Sequence, residues 1–234
     1  MLSAASPVDI VAVLWFVGAW TAYSLVINHF ADSGRSLSSA MDRQRRRWMR
    51  TMARRDLRMI DTGIMGGLQN GTAFFASTSL IAIGGGFALL NATDHVYDVL
   101  RDLSLSPSSP RGLFEVKAVG LILIFGFAFF EFGWAYRLFN YASILVGATP
   151  SAAHAGEAEA IAAADRAASF TIAAGRHFNH GLRAFFFAVG YLGWFVNGYV
   201  LIVTTTAILL VQLYRQFLSP SARLVIEAAR QPET

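Results

Sequence analysis

Four stretches of this chain are long and apolar enough to cross a bilayer, and they limit the fold more than any other feature. A spanning helix needs about 20 mostly apolar residues. The runs at 8–27, 64–90, 113–139 and 184–213 all meet that requirement. Lipid offers no hydrogen bonds, so the backbone of each run must satisfy itself as a helix. Composition agrees, because 55% of residues are hydrophobic and 15% charged, against about 25% charged in soluble domains. The expected fold class is all-α, a polytopic membrane protein with four transmembrane helices plus amphipathic cytoplasmic helices, forming a single membrane domain over 1–234. No basic residue precedes the first run and no small-residue cleavage site follows it, which reads as an uncleaved anchor. With no cysteine, disulfides and thiolate metal sites are excluded.

Charge in the connections orients the spans. Segment 28–62 carries nine arginines against four aspartates, whereas 91–112 carries Arg101 and Arg111 against Asp94, Asp98 and Asp102. The connection after the third run adds Arg137, Arg166, Arg176 and Arg183. The positive-inside bias then places both long connections in the cytoplasm and both termini on the outer side of a bacterial inner membrane.

The arginines of 42–59 are sorted. At 100° per residue, Met41, Trp48, Met52 and Met59 fall within about 40° of one another, with Arg43, Arg47, Arg50 and Arg54 opposite. This predicts an amphipathic helix over about 38–61, capped by Ser38 or Ser39. Two placements fit: flat on the membrane, with its arginines among anionic headgroups, or as a stalk continuing the second span, with Gly63, Gly66 and Gly67 permitting a bend. A single helix beside a span, with no recognised module, does not point to nucleic acid. A second cytoplasmic helix is expected over about 151–174, with Pro150 in its first turn.

Within the second run, Gly63, Gly67 and Gly71 share one helix face, where another helix can approach closely. Gln69, Asn70 and Thr78 are polar at membrane depth and are candidates for helix packing or for lining a path. Glu131 is the costliest residue of the third run and should face protein. Lys117 and Glu115, near the outer end, are expected to snorkel to water. Arg137, Asn140, Asn179 and Arg183 flank one connection and are expected to form a single buried polar cluster. Asn197, placed near the middle of the fourth run, demands a partner. In the loop, Asp94, Asp98 and Asp102 suggest a wet helix face opposite Val96, Val99, Leu100 and Leu103.

His177 and His180 could meet on one turn, but no carboxylate is near them in sequence. They read as interfacial histidines, with no metal and no cofactor expected. No nucleophile with its base is evident, so no catalytic residue is nominated.

The stretches FFAST (74–78), WAYRLFNY (134–141), FNHGLRAFFFA (178–188) and RRDLRMID (54–61) resemble a family of bacterial and plant membrane proteins catalogued as domain of unknown function 599. The resemblance covers roughly 48–218. Trp134, Arg137, Asn140 and Tyr141 match one motif, and Phe178, Asn179, Gly181 and Arg183 another. Relatives often carry tyrosine where this chain has Phe185 and Phe186, which argues against a hydroxyl-dependent role there. The resemblance implies a membrane protein and brings no activity. From the residues, the expected function is a homo-oligomeric membrane protein forming a channel or translocation path, its arginine helix serving as a vestibule. The alternative is a non-conducting scaffold or accessory subunit that binds lipids or a larger membrane complex.

Overall fold

The computed structural model describes residues 6–31, 33–102 and 110–230, apart from the side chains at 96, 99–102 and 230. Its elements are helical throughout: α1 (Pro7–His29), α2 (Leu37–Ala53), α3 (Met59–Asn91), α4 (Thr93–Asp102), α5 (Arg111–Ala148), α6 (Ala158–Tyr191), α7 (Gly198–Leu213) and α8 (Pro220–Arg230). Four helical stretches are long and apolar enough to span a membrane: Pro7–His29, Met59–Asn91, Arg111–Ala148 and Gly198–Ala229. With 38 residues, α5 extends about 57 Å at 1.5 Å per residue. That exceeds a hydrocarbon core of about 30 Å, so part of α5 stands outside the lipid.

Several expected boundaries move. The basic helix stops at Ala53 rather than near residue 61, so the break precedes Gly63. Its cap is Ser36, not Ser38 or Ser39: the hydroxyl of Ser36 accepts from the Ser39 backbone N–H at 3.3 Å, and the Ser39 hydroxyl accepts in return from Ser36 N–H, a capping box. The run 184–213 is not one helix. The expected second cytoplasmic helix begins at Ala158 rather than near residue 151, so Pro150 lies ahead of it, and it continues without a break into the first part of that run as α6, which ends at Tyr191 and gives way to a short 3-10 turn over Leu192–Phe195. Asn197 therefore caps α7 instead of lying mid-span, its Oδ1 accepting the Val200 N–H at 2.9 Å, the usual service of an N-cap amide.

The chain divides into two compact units. The first comprises Met1–Val26, Ser77–Phe129 and Leu182–Leu213. Phe16, Trp20, Phe187 and Tyr191 form its aromatic centre, with Trp20 and Phe187 stacked at 5.6 Å. Absent side chains set its close contacts. A Cβ at Gly193 would come within 2.5 Å of Thr204 Oγ1 and 3.1 Å of the Val200 carbonyl, and Thr204 Oγ1 donates to the Gly190 carbonyl at 2.6 Å. The reversal from α6 to α7 thus depends on bare backbone at 193, with a tight fit at 190. Lys117 does not snorkel. It is fully buried, its ammonium 5.3 Å from the centre of the Trp194 ring, while the Trp194 indole donates to Asp9 at 2.8 Å. On α4, Asp94 pairs with Arg111 at 2.7 Å and Asp98 is exposed. The apolar partners expected at Val96, Val99, Leu100 and Leu103, like Asp102, lie outside the described side chains.

The second unit comprises Ile27–Ala76, Phe130–Gly181 and Tyr214–Thr234. Met49 and Met52 of α2 enter a core with Leu138, Phe139, Ala142, Val146, Ala167 and Ala168. The amphipathic helix is real, but its apolar face docks on α5 and α6 rather than lying in lipid or standing free as a stalk. Helix α8 packs against α2 in this unit. The RRDLRMID stretch forms the joint after α2. Asp61, buried in the first turn of α3, accepts from Trp48 Nε1 at 2.7 Å and from Arg55 at 2.6 Å. Arg58 donates to the carbonyls of Val146, Thr149 and Pro150, satisfying acceptors that the end of α5 leaves open.

Candidate functional site

Helix α3 is the least covered of the spans, with 11% of its apolar window buried. Along it Gly63, Gly67, Asn70, Gly71 and Phe74 are exposed, and they recur at spacings of three and four, so they share one face. No described atom from a neighbouring element lies within 4 Å of where a Cβ would stand on Gly63, Gly67 or Gly71. Gln69 and Thr78 do not belong to this open face. Gln69 donates to Asn140 Oδ1 at 2.8 Å and to Ser143 Oγ at 3.1 Å, joining α3 to α5, and Thr78 is half-buried.

The arginines of α2 divide between two roles. Arg43, Arg46, Arg47 and Arg54 are exposed, whereas Arg50 pairs with Asp165 of α6 at 3.1 Å. Asp42 accepts from Arg45 at 2.8 Å and from Arg176 of α6 at 2.9 Å. The Arg45 guanidinium lies over Gly175, where a Cβ would stand only 2.5 Å away. Burial draws its pKa below the ordinary arginine value, and the Asp42 carboxylate offsets part of that shift.

The four residues expected in one polar cluster go to different neighbours. Arg137 faces outward between aromatics, donating to Tyr141 Oη at 2.8 Å with Trp134 5.4 Å away. Asn140 serves Gln69. Asn179 is half-buried. Arg183 is buried, with its guanidinium 5.8 Å from the centre of the Tyr23 ring.

A different convergence occurs on α5 and α6. A Cβ on Gly181 would come within 2.6 Å of the Phe132 ring, so the bare backbone there lets the two helices close up. Phe75, Phe132 and Phe178 pack together beside that contact. One turn earlier on α6, His177 and His180 face the residue preceding Phe132, which is Glu131. Nδ1 of His177 lies 2.9 Å from Glu131 Oε2, and Nδ1 of His180 lies 3.5 Å from the same oxygen. Trp134 packs edge-on to His177 with ring centres 6.4 Å apart. The carboxylate missing from the sequence neighbourhood of the histidines is supplied by the facing helix. Both parts stood out in the sequence, Glu131 for its cost and the histidines for their spacing. What joins them is a helix pairing 46 residues apart, for which Gly181 is the one local signal.

A family model described as "Protein of unknown function, DUF599" matches residues 11–221, a longer stretch than the motifs alone cover. No curated protein and no solved structure matches the chain.

Proposed function

Because the chain belongs to the DUF599 family, whose description carries no activity, we propose from its geometry that it is a homo-oligomeric integral membrane protein, assembled through α3, with a translocation path along that contact. One observation carries this reading: Gly63, Gly67 and Gly71 leave an open face on α3, and the Asn70 amide stands exposed on the same face. In lipid that amide lacks a hydrogen-bond partner. A second α3 supplies both needs, since bare glycine permits close approach and a facing asparagine completes the bond. An isologous pair or a closed ring satisfies the face equally.

Gly67→Leu should abolish assembly while leaving the monomer folded, read by native mass spectrometry from a mild detergent. Because the chain has no cysteine, Gly67→Cys should form a disulfide-linked dimer in membranes. A wild-type protein that stays monomeric by mass spectrometry, with no disulfide-linked dimer from Gly67→Cys, would end this reading. Liposome flux with Asn70→Leu then tests the path. The scaffold alternative is favoured by the exposed Arg43, Arg46, Arg47 and Arg54, a surface suited to anionic lipid. It requires assembly without flux.

We place the protein in a bacterial inner membrane with α2 on the cytoplasmic side, following its arginines. The contact of α8 with α2 favours the same side for the C-terminal helix, revising the expectation that both termini lie outside. The added reversal after α6 supplies the extra crossing. With an impermeant maleimide on intact cells, Asp98→Cys should label and Glu227→Cys should not.

A further inference from the structure

We propose that Glu131, His177 and His180 form a binding site for a first-row divalent transition metal ion of the zinc(II) class. The site is independent of any assembly through α3. Its three donor atoms lie within 4.8 Å of one another. An ion about 2.0–2.2 Å from each nitrogen and oxygen needs its ligand atoms about 3.3 Å apart in a tetrahedral arrangement. The two distances to Glu131 Oε2, 2.9 and 3.5 Å, already bracket that value. The separation of the two imidazole nitrogens lies within the same 4.8 Å, and side-chain rotation on a fixed helix pair can adjust it to the tetrahedral value.

Donor chemistry selects the ion. Two imidazoles and one carboxylate suit zinc, iron(II), cobalt(II) and their neighbours. Calcium and magnesium prefer all-oxygen shells, and copper(I) prefers the sulfur ligands of thiolate sites. Three protein ligands leave at least one position for water or an exchanging ligand, unlike the closed four-ligand shell of a structural zinc. Access fits this as well: the side chains of His177 and His180 are 34% and 36% exposed, against 17% for Glu131. The carboxylate is thus held inside while the imidazoles form the mouth. Placement of the donors is built in, because Gly181 sets the separation of the helices and Phe132 and Phe178 pack beside it. Beside His177, Arg176 is turned to Asp42, so the adjacent cation has its own anion.

The test is a cobalt(II) titration of the full chain, purified without a histidine tag in a mild detergent and followed by the visible absorption of the bound ion. Wild type should saturate at one ion per chain. Glu131→Gln, His177→Gln and His180→Gln should each weaken binding by about a hundredfold, since even loss of an outer-shell partner costs 10–100-fold. His154→Gln, on an exposed connection, should leave it unchanged. Should the site variants fail to fold, X-ray absorption of the zinc-loaded wild type decides by itself, and scattering from two imidazoles is expected. Absence of saturable uptake, uptake indifferent to the three variants, or a zinc shell lacking paired imidazoles would each overturn the proposal.

Discussion

Each unit packs aromatic rings and bare glycines between its own helices, and the second adds ion pairs between α2 and α6. All but three of the arginines (Arg101, Arg111 and Arg183) belong to the second unit, which ties α2 to α6 with Asp42–Arg176 and Arg50–Asp165 and buries methionine beneath them. The first unit relies on stacked aromatics and on a contact at Gly193 where an added Cβ would collide with Thr204, with a tight fit at Gly190. Charge pattern and close approach are separate ways of fixing a helix pair. One can be weakened by salt, and the other can be broken only by adding atoms.

The largest effect expected from this contrast is in the first unit. Gly193→Leu must displace Thr204 or the Val200 backbone, and overpacking of this kind costs about 3 kcal/mol. It should lower the thermal midpoint in detergent well beyond any single charge change. Met52→Ala, at a fully buried position of the second unit, should cost a similar or slightly smaller amount, about 2–3 kcal/mol from lost burial and the cavity left behind. If Met52→Ala proves harmless, α2 does not dock as described.

Asp61→Ala should cost about 2 kcal/mol, because Trp48 Nε1 and Arg55 lose a charged acceptor. Asn197→Ala should cost about 1 kcal/mol, the usual value of an N-cap. Amide exchange should localise the first loss to the start of α3 and the second to the start of α7.

The smallest effect sharpens the contrast most. Arg50 and Asp165 are both partly exposed, so Arg50→Ala should cost under about 1 kcal/mol. Raising the salt from low to about 1 M shortens the screening length to about 3 Å. Amide exchange in α2 should then quicken while α6 and α7 near their glycine contact hold steady. Equal quickening in both would refute the division.

Membership of the family was legible from its motifs, and the all-helical class and the four apolar stretches because a span announces itself by length. The amphipathic face of α2 was legible because a helix sorts its residues every 3.6 positions. The surface that covers that face was not, since Trp48 and Met52 carry the same periodic signal whether they meet lipid or Phe139, and Met41 of the same face stays exposed. The turn inside 184–213 was hidden because its residues, Leu192 to Asn197, are nearly as apolar as the helices they join. Its marks were Gly190, Gly193 and Gly198, and glycine is too common in spans to be read as a corner. Glu131 and the two histidines were each visible, but a contact between helices has no period.

Synthesis order gives Arg58 and Glu131 opposite histories. The guanidinium of Arg58 is made 92 residues before the Pro150 carbonyl to which it donates, so the last turn of α5 leaves the ribosome with a donor for its open carbonyls already built. Glu131 is made 46 residues before His177. At about 5–20 residues per second, α5 waits roughly 2–9 s with its acid unaccompanied. The translocon must commit this span on the strength of its phenylalanines and leucines alone, and the acid acquires its imidazoles only when α6 arrives.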